Sequence, residues 1–139
     1  MDIEQTKAEI KKEEGFRMET YKCTEGHLTG GYGHKMLDGE TPPTDMAGWT
    51  KLFERDFARA MSGAEELLMI CPNVDDTARH IVVEMCYQMG AYGVSKFHGM
   101  LSALQESDYV TASKEMLDSR WAKQTPKRAM RMAERMRNI

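Results

Sequence analysis

Hydrophobic residues return at helical intervals along most of the chain, and the exception lies near the N-terminus. From Ile3 to Glu14 the apolar Ile3, Ala8 and Ile10 stand among Lys and Glu at roughly helical spacing, and Gly15 follows as a stop, which predicts a short amphipathic helix. Between Phe16 and His34 the pattern breaks into short runs, RMETYK and HLTGGYGH, interrupted by Glu25-Gly26 and by three closely spaced glycines, which predicts a small sheet. After the loop DGETPPTD, Thr44 or Asp45 can cap a long helix. Its stripe Trp49, Leu52, Phe53, Phe57, Ala60, Met61, Ala64, Leu67 and Leu68 runs on to Cys71 and Pro72. Asn73 or Asp75 can cap the next segment, where Ile81, Val82, Met85 and Met89 lie among apolar neighbours and predict a buried helix ending at Gly90. Further helical stretches follow around Met100 to Glu106, Asp108 to Arg120 and Pro126 to Arg137, the last opening on a proline suited to a helix start.

This order of elements predicts an α+β architecture. A small N-terminal lobe with a β-hairpin or sheet and a larger helical lobe are joined by the long helix, with a ligand cleft expected between them. At 139 residues the chain is a single domain, expected to divide into lobes of approximately 13–60 and 1–12 plus 61–139.

Composition adds little to this except in its distribution of charge. The thirteen Met residues read as flexible fillers of irregular core gaps. The net charge of −3 conceals a basic end: Arg120 to Ile139 carries seven Lys or Arg against Glu134 alone, net +6, which leaves −9 for the rest. A terminal helix of that charge suits nucleic acid, a membrane surface or an anionic polymer such as peptidoglycan, and equally a solvated face. The aromatic or glycine-rich elements that accompany nucleic-acid binding are missing, so no nucleic-acid partner is expected. Cys23, Cys71 and Cys86 form an odd set without a CxxC pair, which argues for reduced thiols rather than a disulfide framework or zinc site. The N-terminus has no apolar h-region and no later segment reaches membrane-spanning length, so the expectation is a chain without its own export signal, made in a cytoplasm.

The candidate chemistry lies in the sheet region. Glu14 closes the first helix, Cys23 follows after eight residues and Thr29 after five more, and folding the hairpin back brings them together. Glycoside hydrolysis requires an acid to protonate the leaving oxygen, and an inverting enzyme also needs a group that orients or deprotonates water on the opposite face. Taken singly, Glu14 reads as a solvated helix-end carboxylate and Cys23 as a small buried hydrophobe, as Cys71 and Cys86 do. Cys23, His27 and His34 supply zinc-type ligands, but their spacing fits no common zinc pattern, and neither metal nor cofactor is expected. His80 and His98 read as structural, Trp121 as core and Tyr87 as a groove residue.

The triad Glu14, Cys23 and Thr29 sits in EEGFRMETYKCTEGHLTGGYGH, and is followed by YQMGAYGVSKF and SRWAKQTPKRA. Motif and blocks, in that order, resemble the lysozymes of the T-even phages and their relatives, whose motif is Glu, eight residues, Asp or Cys, five residues, Thr. The resemblance covers nearly the whole chain, apart from a shorter segment after His34. It implies a muramidase that cuts between N-acetylmuramic acid and N-acetylglucosamine with inversion. Glu14 would then donate the proton and Thr29 would help hold the attacking water. Cys23 stands where many relatives carry Asp; with an ordinary thiol pKa of about 8.5 it could orient water as thiol or thiolate, attack the anomeric carbon as a nucleophile with retention, or be inert. The resemblance also implies a cross-cleft ion pair of Glu25 with Arg120, Arg128 near Glu14, Tyr87 and Gln88 along the groove, and His34 as the anchor of the hairpin. An arginine near Glu14 would lower its pKa and apolar burial would raise it. Lys35 replaces an apolar residue of the relatives, and positions toward Met100 and Glu115 also differ.

At the level of biology the resemblance implies a monomeric endolysin acting on peptidoglycan glycan strands for host cell lysis. It would accumulate in the host cytoplasm and reach the wall through a lesion made by a separate membrane-permeabilising protein. A competing reading of another class is a peptidoglycan-binding module that kept the fold and lost catalysis. The Asp to Cys change suggests that reading, and the retention of Glu14 and Thr29 opposes it.

Overall fold

The computed structural model describes all 139 residues, and they form two compact units, Ile3–Arg59 and Met1–Asp2 with Ala60–Ile139. The first helix therefore groups with the sheet, where the expected division near residue 12 put most of it in the helical lobe.

The Ile3–Arg59 unit contains α1 (Ile3–Glu14), β1 (Arg17–Lys22), β2 (Leu28–Gly31), β3 (His34–Lys35) and the first part of α2 (Met46–Leu67). The strands form an antiparallel sheet in the order β1-β2-β3, in which Tyr21 pairs with Thr29 and Thr29 with Lys35. The inward face of α1 is Thr6 and Ile10, both buried, while Ile3 is 45% exposed and Ala8 also faces solvent. Two lysines widen that narrow apolar face. Lys7 Nζ lies 5.3 Å from the centroid of the Phe57 ring and Lys11 Nζ lies 4.8 Å from that of Phe53, so their stems cover the aromatic row and their charges sit on ring faces. Lys7 also closes on Glu54 at 2.8 Å. Phe16, Tyr32, Phe53 and Phe57 follow one another with centroids 5.0, 5.3 and 6.1 Å apart.

Asp45 starts α2 by accepting the Gly48 N–H on Oδ1 at 2.8 Å. One turn on, the buried Trp49 explains two of the sheet's glycines. A Cβ on Gly30 would stand 2.4 Å from Trp49 Cη2 and one on Gly31 2.5 Å from Cε3, so the indole lies directly against bare backbone. Trp49 Nε1 donates to the Met18 carbonyl at 2.8 Å, and Met18 falls within the register shift between Arg17 and Tyr21. These glycines serve close packing as well as turning.

In the helical unit, α2 tightens at its end into a 3-10 turn, Leu68–Ile70. Next come α3 (Asp76–Ser95), α4 (His98–Gln105), α5 (Tyr109–Leu117), α6 (Arg120–Gln124) and α7 (Pro126–Arg137). Asp75 caps α3 by accepting from the Thr77 N–H at 2.7 Å. Gly90, with φ 81° and ψ 154°, interrupts α3 where the sequence placed its end, and the chain resumes helical form as far as Ser95. The stretch expected as one helix to Arg120 divides because Ser119, in extended backbone, caps α6 through the Ala122 N–H. α5 packs against α4 and α7, around a core that includes Ile81, Met85, Met100, Leu104, Met116, Met132 and Met136. The core thus draws heavily on methionine, although Met69 and Met130 are 77% and 62% exposed. Within it Glu84, 1% exposed, accepts from Arg135 Nη1 at 2.9 Å and faces His80 Nε2 at 3.1 Å. One cation of the basic end, the half-buried Arg135, is therefore committed to a core carboxylate.

Candidate active site

The sheet unit holds all three residues of the triad, each placed by a local turn. Gly15, at φ 69°, ends α1 by returning its N–H to the Lys11 carbonyl at 2.9 Å, and Glu14 becomes the last helical residue. The half-buried Glu14 side chain lies on the β2–β3 turn. A Cβ on Gly33 would come within 2.9 Å of Glu14 Oε1, 3.0 Å of Cδ and 3.2 Å of Oε2, so a side chain there would push the carboxyl from this position.

Cys23 opens the tight turn between β1 and β2. Its carbonyl accepts from the Gly26 N–H and its own N–H donates to the His27 carbonyl, each at 2.9 Å, with Gly26 in the left-handed region at φ 83°. This turn aims the Glu25 and His27 N–H groups at the half-buried sulfur. Partial removal from water, the largest single influence, pushes the thiol pKa up. The two N–H groups, the Thr29 hydroxyl and the charge of Lys35 outweigh it, and the net shift is below the ordinary thiol value. Thr29 is buried on β2 and has one hydroxyl hydrogen to give, either to the His27 carbonyl at 3.1 Å or to the Cys23 sulfur.

His34 fixes the other end of the hairpin. Its Nδ1 lies 2.6 Å from Asp56 Oδ2 on α2 and its Nε2 lies 2.7 Å from Glu40 Oε1, so both ring nitrogens are committed to carboxylates. Arg55 Nη2 donates to Glu40 Oε2 at 3.0 Å and the Leu37 N–H to Oε1 at 3.1 Å. The hydrogen bond to Asp56 raises the His34 pKa, helped by Glu40 and opposed by burial. For Glu40, desolvation alone would raise the value; His34, the Leu37 N–H and Arg55 prevail and hold it at about 2. Sequence reasoning named His34 but missed its partners. Asp56 is a carboxylate at the border of an otherwise apolar helical stripe, next to Phe57 and one turn after Phe53, and that position was the available signal.

The remaining expected residues are distributed as follows. Glu25 is exposed in the β1–β2 turn, with Oε2 3.9 Å from His27 Nε2. Tyr87 and Gln88 are half-buried on α3, and Gln88 Oε1 accepts from the indole N–H of the buried Trp121 at 2.9 Å, which leaves its amide nitrogen as the group it can offer a ligand. Arg120 is exposed at the start of α6 and Arg128 is half-buried in the first turn of α7. Met100 is fully buried, and Glu115 packs over Gly99, where a Cβ would meet Oε2 at 2.4 Å. Cys71 and Cys86 are buried free thiols, and burial pushes Cys86 up to about 12.

A small antiparallel sheet with its own helix, followed by a helical unit, defines an α+β protein of lysozyme-like type. The sequence profile of the phage lysozyme family matches residues 11–138. The chain is 33% identical to "Probable T4-type lysozyme 2" of Dictyostelium discoideum, over 88% of each chain, and 30% identical to "Probable T4-type lysozyme 1" of the same organism, again over 88% of each. It is also 31% identical to the pre-baseplate central spike protein Gp5 of Enterobacteria phage T4, over 88% of this chain and 26% of that protein. The chain belongs to the phage lysozyme family.

Proposed function

We propose that the protein is a muramidase that hydrolyses the β-1,4 bond between N-acetylmuramic acid and N-acetylglucosamine in peptidoglycan, with inversion. This reading is supported by membership of a family of lysozymes together with a carboxyl acid, Glu14 against the Gly33 turn, and a neighbouring sulfur and hydroxyl, Cys23 and Thr29, in the same compact unit. In the reaction Glu14 gives its proton to the glycosidic oxygen as the bond to the anomeric carbon breaks. Water, held by Thr29, adds its oxygen to that carbon from the opposite face and passes a proton to the Cys23 thiolate. The products are a muramic reducing end and a free 4-hydroxyl on N-acetylglucosamine; Cys23 then returns its proton to solvent while Glu14 regains one. Inversion is favoured over a thioether intermediate because the family motif admits Cys at this position and a glycosyl-thioether would require a larger rearrangement of the scheme in which Thr29 holds water.

Tyr87, Gln88, Glu25 and Arg120 would bind the glycan, and His34 and Arg128 would support the site. The biological role is host cell lysis by a monomer that reaches the wall after a separate protein opens the membrane; no helix of the chain is long and apolar enough to cross one. Digestion of purified peptidoglycan tests this reading. Borohydride reduction followed by mass spectrometry should find muramitol ends, and proton NMR during the reaction should find the α-anomer forming first. Reduced N-acetylglucosamine ends would exclude a muramidase, and a β-anomer formed first would exclude inversion. Pelleting on walls without any release would support a binding module.

A further inference from the structure

A thiol cannot simply replace a carboxylate as the group that receives a proton from water. At pH 7 a carboxylate is ionised unaided, whereas a thiol of ordinary pKa, about 8.5, is mostly protonated. A sulfur in that position needs local positive charge. Cys23 obtains two backbone N–H groups from its own turn, and the sheet places a full charge nearby. Thr29 is paired with Tyr21 on one side and Lys35 on the other, and paired residues of antiparallel strands project from the same face. Cys23 is two residues beyond Tyr21 and therefore shares that face; its backbone N–H bonds to His27, which is likewise two residues from Thr29. Tyr21, Cys23, His27, Thr29 and Lys35 thus form one patch on one side of the sheet.

Among the other charged and titratable groups of this unit, Glu19 and Lys22 are exposed on β1 and the Glu14 carboxyl lies against the Gly33 turn. Glu25 and His27 face each other at 3.9 Å in the turn. Arg17, on β1, lies over the Tyr21 ring at 4.5 Å from its centroid. β2 offers none, being Leu28, Thr29, Gly30 and Gly31. Lys35, exposed on β3, is the cation whose charge acts on Cys23.

We propose that Lys35 is a positioning residue for Cys23, its ammonium standing across the Thr29 row and supplying the positive charge that a sulfur requires in the place of a carboxylate. This rests on the lysozyme reading for its consequence in catalysis, but the relation of Lys35 to Cys23 is measurable without it. Lys35 does not touch the sugar ring in this scheme; it sets the fraction of protein in which the sulfur can take a proton from water.

The test is the pH dependence of Cys23 alkylation by iodoacetamide in the full chain, read from the Cys23 peptide by mass spectrometry, in wild type, Lys35→Gln and Lys35→Arg, alongside the pH profile of muropeptide release. Lys35→Gln should be alkylated roughly threefold more slowly at pH 7, the size of an exposed ion-pair effect. Its acidic limb of activity should move to higher pH in step, and Lys35→Arg should restore both. High salt should shrink the difference between wild type and Lys35→Gln. Equal alkylation of wild type and Lys35→Gln at every pH, with muropeptide release intact, overturns the inference alone. A clear Lys35 effect on alkylation in a wild type that releases no muropeptides overturns the lysozyme reading alone.

Discussion

The carboxyl of Glu14 rests on the Cα of Gly33, close enough that a methyl group there would stand 2.9 Å from Oε1. The turn glycine is thus part of the positioning of the acid, although it has no side chain of its own. Gly33→Ala must displace the carboxyl and also hold an L-residue at φ 70°. The strain costs about 1 kcal/mol. A shift of the acid by a fraction of an ångström to an ångström costs considerably more in rate, about tenfold to a hundredfold. Comparing the melting temperature with the rate of muropeptide release separates the two: Gly33→Ala should melt only slightly below wild type and lose most of its activity.

The Trp49 ring lies directly against the bare backbone of Gly30 and Gly31. Gly30→Ala places a methyl 2.4 Å from Cη2 of a buried ring that cannot move without releasing the Met18 carbonyl, so it should destabilise by about 2–3 kcal/mol. Trp49→Phe removes the indole donor and should cost about 1–3 kcal/mol by orphaning that carbonyl. Urea unfolding followed by circular dichroism gives both values, and stability equal to wild type for Gly30→Ala would contradict the packing described.

The His34 clamp sets a pH window for stability. The folded-state pKa of His34 lies above its ordinary 6.5, so its contribution is full below that value and is lost as pH rises through the folded one. Glu40 is depressed from 4.5 to about 2, so its contribution is present above 4.5 and is lost as pH falls toward 2. Both contributions are complete between pH 4.5 and 6.5. A series of melting temperatures should have its plateau there and decline on either side. His34→Gln should remove the alkaline decline and cost about 3 kcal/mol within the plateau, because Asp56 and Glu40 are left without the imidazolium.

Gly90 adopts φ 81° and ψ 154°, a conformation essentially closed to other residues. Gly90→Ala should destabilise the helical unit by about 1–3 kcal/mol while leaving the sheet unit intact. Hydrogen exchange resolves the two: protection should fall in α3 and remain in β1 and β2.

The sequence was most legible where periodicity and punctuation coincide. The stripe from Trp49 to Leu68 located α2, and of the alternative caps Thr44 or Asp45 and Asn73 or Asp75 the second of each pair starts the helix. Gly90 was recognised as a break but not as an interruption, since a glycine at a helix end and one inside a kink look alike in sequence. The Asp108 to Arg120 stretch hid the Ser119 cap because its helical propensity continues on both sides. The inner face of α1 was misread for another reason: Lys7 and Lys11 cover the aromatic row with their stems, and a pattern scored on apolar residues gives lysine no such role. In the candidate site Glu14, Cys23 and Thr29 were singled out by family resemblance, whereas the Glu14–Gly33 approach, the partners of His34 and the pairing of Lys35 with Thr29 depend on strand register and turn conformation.

The central claim is that Glu14 is the acid of a peptidoglycan hydrolase, and clearing of outer-membrane-permeabilised Gram-negative cells by wild type and Glu14→Gln tests it most directly, with circular dichroism confirming that both are folded. The account predicts steady loss of turbidity with wild type and a rate at least about a hundredfold lower with Glu14→Gln. Clearing by folded Glu14→Gln at the wild-type rate would contradict it.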